Sequence, residues 1–94
     1  MATSTIKATN NFLSPFVIGA NTDLNDLNVP GVYECQSSTI AESLVNSPST
    51  SGFSMFVMRI NNTNRNQLLL VGGAVFVRIK TSTGWGAWRR FTMD

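Results

Sequence analysis

The chain has 94 residues, 43% hydrophobic and only 13% charged, with seven Lys or Arg against five Asp or Glu and a net charge of +2. That length allows one domain, and a charge fraction about half that of ordinary soluble domains leaves a surface rich in Ser, Thr and Asn, as in proteins that work outside cells or pack into large assemblies. No run of like charges supports nucleic-acid binding, no 18-residue apolar stretch supports membrane insertion, and the absence of His together with a single Cys excludes an internal disulfide, a thiolate metal cluster and a Cys–His nucleophile.

Residues 1–11 are polar, with several Thr and Asn, and read as an extended arm or linker. They lack a basic segment followed by an apolar core, so no signal peptide is expected. Phe16 to Ala20 follows as a short strand after Pro15. Asn21 to Asn28 is a turn-forming stretch whose Asn and Asp side chains can bond nearby backbone amides, and Pro30-Gly31 marks a tight turn. Val32 to Cys35 begins a strand. Cys35 itself fits a small buried apolar position.

Residues 36–52 admit two readings. Thr39-Ile40-Ala41-Glu42 has the form of a capping box, and Ile40 and Leu44 stand four apart, which suits a short helix; an irregular loop suits the Ser, Thr, Pro and Gly content equally. Phe53 to Ile60 is a strand apolar on both faces, with Phe53, Met55 and Val57 on one and Phe56, Met58 and Ile60 on the other. Such a strand is covered on both sides, and in so small a chain the second cover is expected from another subunit. Asn61 to Asn66 reads as a polar loop. Gln67 to Val71 and Ala74 to Lys80 are strands joined by Gly72-Gly73, a two-residue hairpin turn. After a turn at Thr81 to Gly84, Trp85 to Phe91 is the last strand. The class is therefore mostly β: a small antiparallel sheet with long loops and room for one short helix.

Catalytic chemistry finds little support. Asp23 and Asp26 share one turn and suit capping better than paired acid–base work, and no loop has the spacing of a calcium site. Neither a serine-nucleophile elbow nor a phosphate loop is present. No enzyme, metal or cofactor is expected. Trp85 and Trp88 are the candidate binding residues, with Arg78, Arg89 and Tyr33: indole faces stack on sugar rings and guanidinium groups bond hydroxyls or carboxylates. The competing role for both Trp residues is packing the core or a subunit interface. Arg89-Arg90 otherwise reads as a solvated strand edge.

An ordered set of motifs resembles a known family. Asn25-Asp26-Leu27 and Val29-Pro30-Gly31-Val32-Tyr33 are similar to the opening of the knob domain of R-type pyocin and phage tail fibres. Asn46-Ser47-Pro48, Gly52, Gln67 and Arg78 follow in order, and Trp85-Gly86-Ala87-Trp88-Arg89 resembles the family's ending. The resemblance spans residues 23–91 and divides the chain into an arm or linker at 1–22 and a knob-like β domain at 23–94. It implies a non-enzymatic structural knob in a homotrimeric virion fibre, made in the host cytoplasm. Its implied partners are other fibre or baseplate proteins and, where it binds a receptor, a bacterial surface polysaccharide. The alternative is a purely structural trimerisation module of a head or tail fibre.

Overall fold

The computed structural model describes residues 14–92; the arm expected at residues 1–11 lies outside them. Seven strands form one sheet in the order β1-β2-β3-β4-β5-β6, with β7 also paired to β5. They are β1 (Phe16–Val17), β2 (Gly31–Cys35), β3 (Phe53–Arg59), β4 (Arg65–Val71), β5 (Ala74–Thr81), β6 (Gly84–Trp85) and β7 (Arg89–Thr92). All neighbours are antiparallel except β1, which runs parallel to β2. One short helix, α1 (Ser38–Ser43), and a 3-10 turn at Leu24–Asp26 lie in the connections.

The helix settles the open choice at residues 36–52, but it is capped differently from the Thr39–Glu42 expectation. Ser37 is the N-cap, its hydroxyl accepting from the Ile40 amide at 3.2 Å. That bond satisfies one orphan donor of the first turn. Leu44 ends the helix in extended backbone. The next stretch returns to the sheet through Gly52, where an added Cβ would lie 2.9 Å from the Cys35 carbonyl oxygen. Only glycine lets the chain pass that close to β2.

Register explains where the core sits. Tyr33, Met55 and Leu69 are cross-strand neighbours in one row, and Val57 pairs with Gln67, which pairs with Arg78. Directly opposed residues project to the same side. On this inner side lies the buried cluster of Ile18, Leu24, Tyr33, Cys35, Ala41, Phe53, Met55, Val57 and Leu69, joined by half-buried Leu27, Ile40, Leu44, Phe76 and Trp88. The 3-10 turn, α1 and the loop after it supply its cover. Cys35 is 4% exposed and unpaired, as its apolar setting led one to expect.

Among the described residues, the opposite side of the same sheet has no such cover. One row across it reads Val32, Phe56, Leu68 and Val77; the next places Leu70 beside Val75 and Val75 beside Phe91. Met58, Leu70, Ile79 and Phe91 are each at least 40% exposed. The two-sided apolar character of the strand at 53–60 is thus resolved into one buried face and one open one.

Several strand boundaries differ from the sequence reading, and the strand expected over Phe16 to Ala20 is limited to Phe16–Val17 by the turn at residues 20–21. β4 begins at Arg65 rather than Gln67 because Arg65 and Asn66 are paired on both sides, to Arg59 and Met58 and to Lys80 and Ile79. Ladder pairing outweighs their polar character. The final strand is broken: β6 and β7 both pair with β5, but the register slips by one residue between Lys80↔Trp85 and Val77↔Arg89. The extra residue in 86–88 acts as a bulge does, re-aiming the side chains that follow.

Candidate functional site

That slip creates the most organised polar centre of the molecule. In a regular strand, residues three apart point to opposite faces. Here the extra residue brings Trp85 and Trp88 to the same side, one on each flank of Arg78. The Arg78 guanidinium carbon lies 4.3 Å from the Trp85 ring centroid and 4.4 Å from that of Trp88. The two indoles hold a flat cation between their faces, each contact worth on the order of 1 kcal/mol or more where water is excluded.

Arg78 is only 6% exposed. Burial lowers its pKa to about 10, against the opposing pull of Asp23, so it remains a cation at neutral pH. Its Nε–H donates to Gln67 Oε1 at 2.8 Å. Gln67, fully buried, donates its Nε2 hydrogens to the carbonyls of Leu24 at 2.9 Å and Leu27 at 3.1 Å. One side chain thus joins the buried cation to the 3-10 turn. The turn is set by Asp23, whose Oδ1 accepts from the Asn25 amide at 2.9 Å and from Asn46 Nδ2 at 2.8 Å. These two bonds, with the field of Arg78, hold the Asp23 carboxyl below its ordinary value despite some desolvation.

Both indole N–H groups are spent on loop carbonyls. Trp85 Nε1 donates to Asn25 O at 3.0 Å and Trp88 Nε1 to Asn46 O at 2.9 Å. Asn46 takes a left-handed backbone, φ 60°, a conformation Asn tolerates better than most residues. A parallel bridge between Asp23 and Val45 ties the two loops together, through Leu24 N to Val45 O at 3.0 Å and Val45 N to Thr22 O at 2.9 Å. The arrangement is a clamp: loops at 22–28 and 45–46 are fastened to β4, β5 and the β6–β7 segment by side chains buried or half-buried beneath them.

The five sequence candidates therefore separate. Arg78, Trp85 and Trp88 come together in this clamp. Tyr33 is in the core, 5% exposed, its ring 5.2 Å from that of Phe16 and its hydroxyl donating to Val29 O at 2.6 Å; burial raises its pKa. Arg89 is exposed on β7, opposite Val77 on the open side of the sheet. Gln67, Asp23 and Asn46 were not among the candidates, although Gln67 and Asn46 lie in the motif set. No signal short of the tertiary register shows that a Gln in an apolar strand faces a buried Arg. Among the described residues no group of three or more His, Cys, Asp or Glu gathers at metal-binding distance, and no helix is long and apolar enough to cross a membrane.

Against solved structures, the described arrangement has clear counterparts. An N-truncated R2-type pyocin tail fibre matches with a TM-score of 0.81 at 17% sequence identity, covering 89% of this chain. The C-terminal part of the P. aeruginosa R1 pyocin fibre matches at 0.84 with 20% identity over 95% of the chain. The fold is that of a segment of R-type pyocin tail fibres. A third match, the C-terminal part of the P. aeruginosa R2 pyocin fibre, gives 0.83 at 18% identity over 92% of the chain. The chain spans 34%, 24% and 24% of those three pyocin fibre chains. No protein-family model and no curated protein sequence matches. The fold-level likeness to pyocin fibres agrees with the motif resemblance in the sequence.

Proposed function

We propose that the chain is a non-enzymatic structural knob of a phage-type virion fibre, built to associate with copies of itself as a homotrimer. The observation that carries this reading is the open apolar side of the sheet. Met58, Leu70, Ile79 and Phe91 stand at least 40% exposed there, continuous with half-buried Leu68, Val75 and Val77. A contiguous apolar surface on a small soluble chain marks an interaction site. A second copy is the occupant favoured by the pyocin-fibre fold, since the open rows lie across the width of the sheet rather than in a peptide-sized groove. Residues 16–22 are part of the domain, through β1, buried Ile18 and the Thr22–Val45 bond, so in this reading the arm that links the knob to fibre or baseplate neighbours is the segment at 1–11, and the assembled protein resides in the virion. Sedimentation equilibrium of the chain across micromolar concentrations tests it: a trimer is expected, and a stable monomer throughout contradicts it.

Host-surface binding is the second reading. Trp85 and Trp88 are only half-buried, so part of each indole stays open to solvent, whereas Arg89 lies on the other side of the sheet and takes no part in this reading. A bacterial surface polysaccharide stacked on the indoles would lose attachment in a Trp88→Phe variant that keeps the fold. Full attachment by that variant removes Trp88 from the reading.

A further inference from the structure

At the end of the sheet where β3 turns into β4, register sets three cations in one row. Arg59 on β3 pairs with Arg65 on β4, and Arg65 pairs with Lys80 on β5. Directly opposed side chains lie on the same face, and like charges in such positions repel. Three of the seven basic residues therefore share one strip, on the side of the sheet away from the open apolar rows. Self-association through those rows leaves the strip accessible.

Nothing among the described residues neutralises it. The bonds present instead fix two of the three cations in place. Arg59 donates through Nη2 to Asn62 Oδ1. Arg65 donates Nε–H to Asn28 O at 2.9 Å, and Nη1 to Asn61 O at 2.7 Å and Asn64 O at 2.9 Å. The loop itself is pre-ordered, with Asn61 Oδ1 accepting from the amides of Thr63 at 2.9 Å and Asn64 at 2.8 Å. Beside Arg65 and Lys80 is a cavity of about 390 Å³, completed by Asn28, Asn62, Thr63 and Ser82. Every lining residue is polar. That composition offers no apolar seat for the side chains of an acidic peptide, but it provides charged donors and short hydroxyl and amide groups side by side.

We propose that this cavity binds a sugar bearing an oxyanion, either phosphate or carboxylate. Arg65 and Lys80 hold the anion, and Asn62, Thr63 and Ser82 bond the ring hydroxyls. A cation pair that repels in the free protein gains most from a ligand that brings the missing negative charge. The site does not depend on the fibre role, because it stands on the cation row and the cavity alone.

Amide NMR titration of the full chain with glucose 6-phosphate, glucuronate, glucose, inorganic phosphate and a short poly-glutamate peptide tests it. The expected result is saturable shifts at residues 62–65 and 80–82 with at least one of the two anionic sugars, with glucose at least tenfold weaker. Response to glucose 6-phosphate alone assigns the anion to phosphate, and response to glucuronate alone to a carboxylate. Lys80→Gln should weaken binding at least fivefold while leaving the Trp85 and Trp88 indole N–H signals in place, which shows that the clamp is folded. The proposal is overturned if glucose binds as well as the anions, if inorganic phosphate binds as tightly as both anionic sugars, if Lys80→Gln changes nothing, or if only the peptide binds.

Discussion

The two sides of the sheet use the same strands in opposite ways. The inner side is closed by loops and held in register by one buried cation, one buried amide and two indoles. The outer side carries Leu, Ile, Val and Phe in equally regular rows, and no other described segment covers it. Polar groups on the inner side act as fasteners: Gln67, Trp85 and Trp88 each donate to specific loop carbonyls, which fixes where the loops sit. The outer apolar rows specify little by themselves, because apolar contact is non-directional. Orientation within the chain comes from the buried network, and in the proposed assembly the apolar surface serves association between chains.

The contrast can be broken most forcefully at Arg78. Arg78→Ala strands Gln67 Oε1, removes the cation from between two indoles and leaves a gap, and should cost about 3–5 kcal/mol in urea unfolding. A loss under ~1 kcal/mol would mean that the clamp does not hold the loops. Gly52→Ala is expected to be next, about 1–3 kcal/mol, because its Cβ would press on the Cys35 carbonyl and shift backbone on both sides. Trp88→Phe keeps most of the ring but loses the bond to Asn46 O and weakens one cation–π contact, for about 1–2 kcal/mol.

Acid should loosen the clamp in a defined direction. Asp23 has a folded pKa below its ordinary 3.8. Its contribution is present above the unfolded value and is lost as pH falls through the folded one. Unfolding midpoints measured from pH 5 to pH 2 should therefore fall on the acid side, and Asp23→Asn should flatten part of that slope. The smallest effect on the folded monomer belongs to the open side: Leu70→Glu should change the stability of a dissociated chain by no more than about 0.5 kcal/mol.

Much of this architecture was legible before the structure. The alternation and turn signals of residues 53–81 set the hairpins, and the strand Phe53 to Ile60 was readable as apolar on both faces. The Trp85 and Trp88 pair also drew notice as residue types able either to pack or to bind. What was not legible was geometry fixed by register. A one-residue slip at 86–88 is invisible in a segment that reads as one strand, yet it alone puts both indoles against Arg78. The partnership of Gln67 with the Leu24 and Leu27 carbonyls depends on residues about 40 positions apart. The Arg59, Arg65 and Lys80 row is likewise hidden, because scattered single charges form a cluster only when three strands align. Ser37 rather than Thr39 caps α1 because tertiary packing chose where the helix enters.

The central contrast is tested most directly by combining Leu70→Glu with Phe91→Glu and measuring association and unfolding on the same samples. Sedimentation should show the wild-type chain as a trimer and the double variant as a monomer, while the variant retains the Trp85 and Trp88 indole N–H signals of the closed inner side. A wild-type chain that is already monomeric, or a double variant that associates as before, would contradict the assignment of the open face to self-assembly.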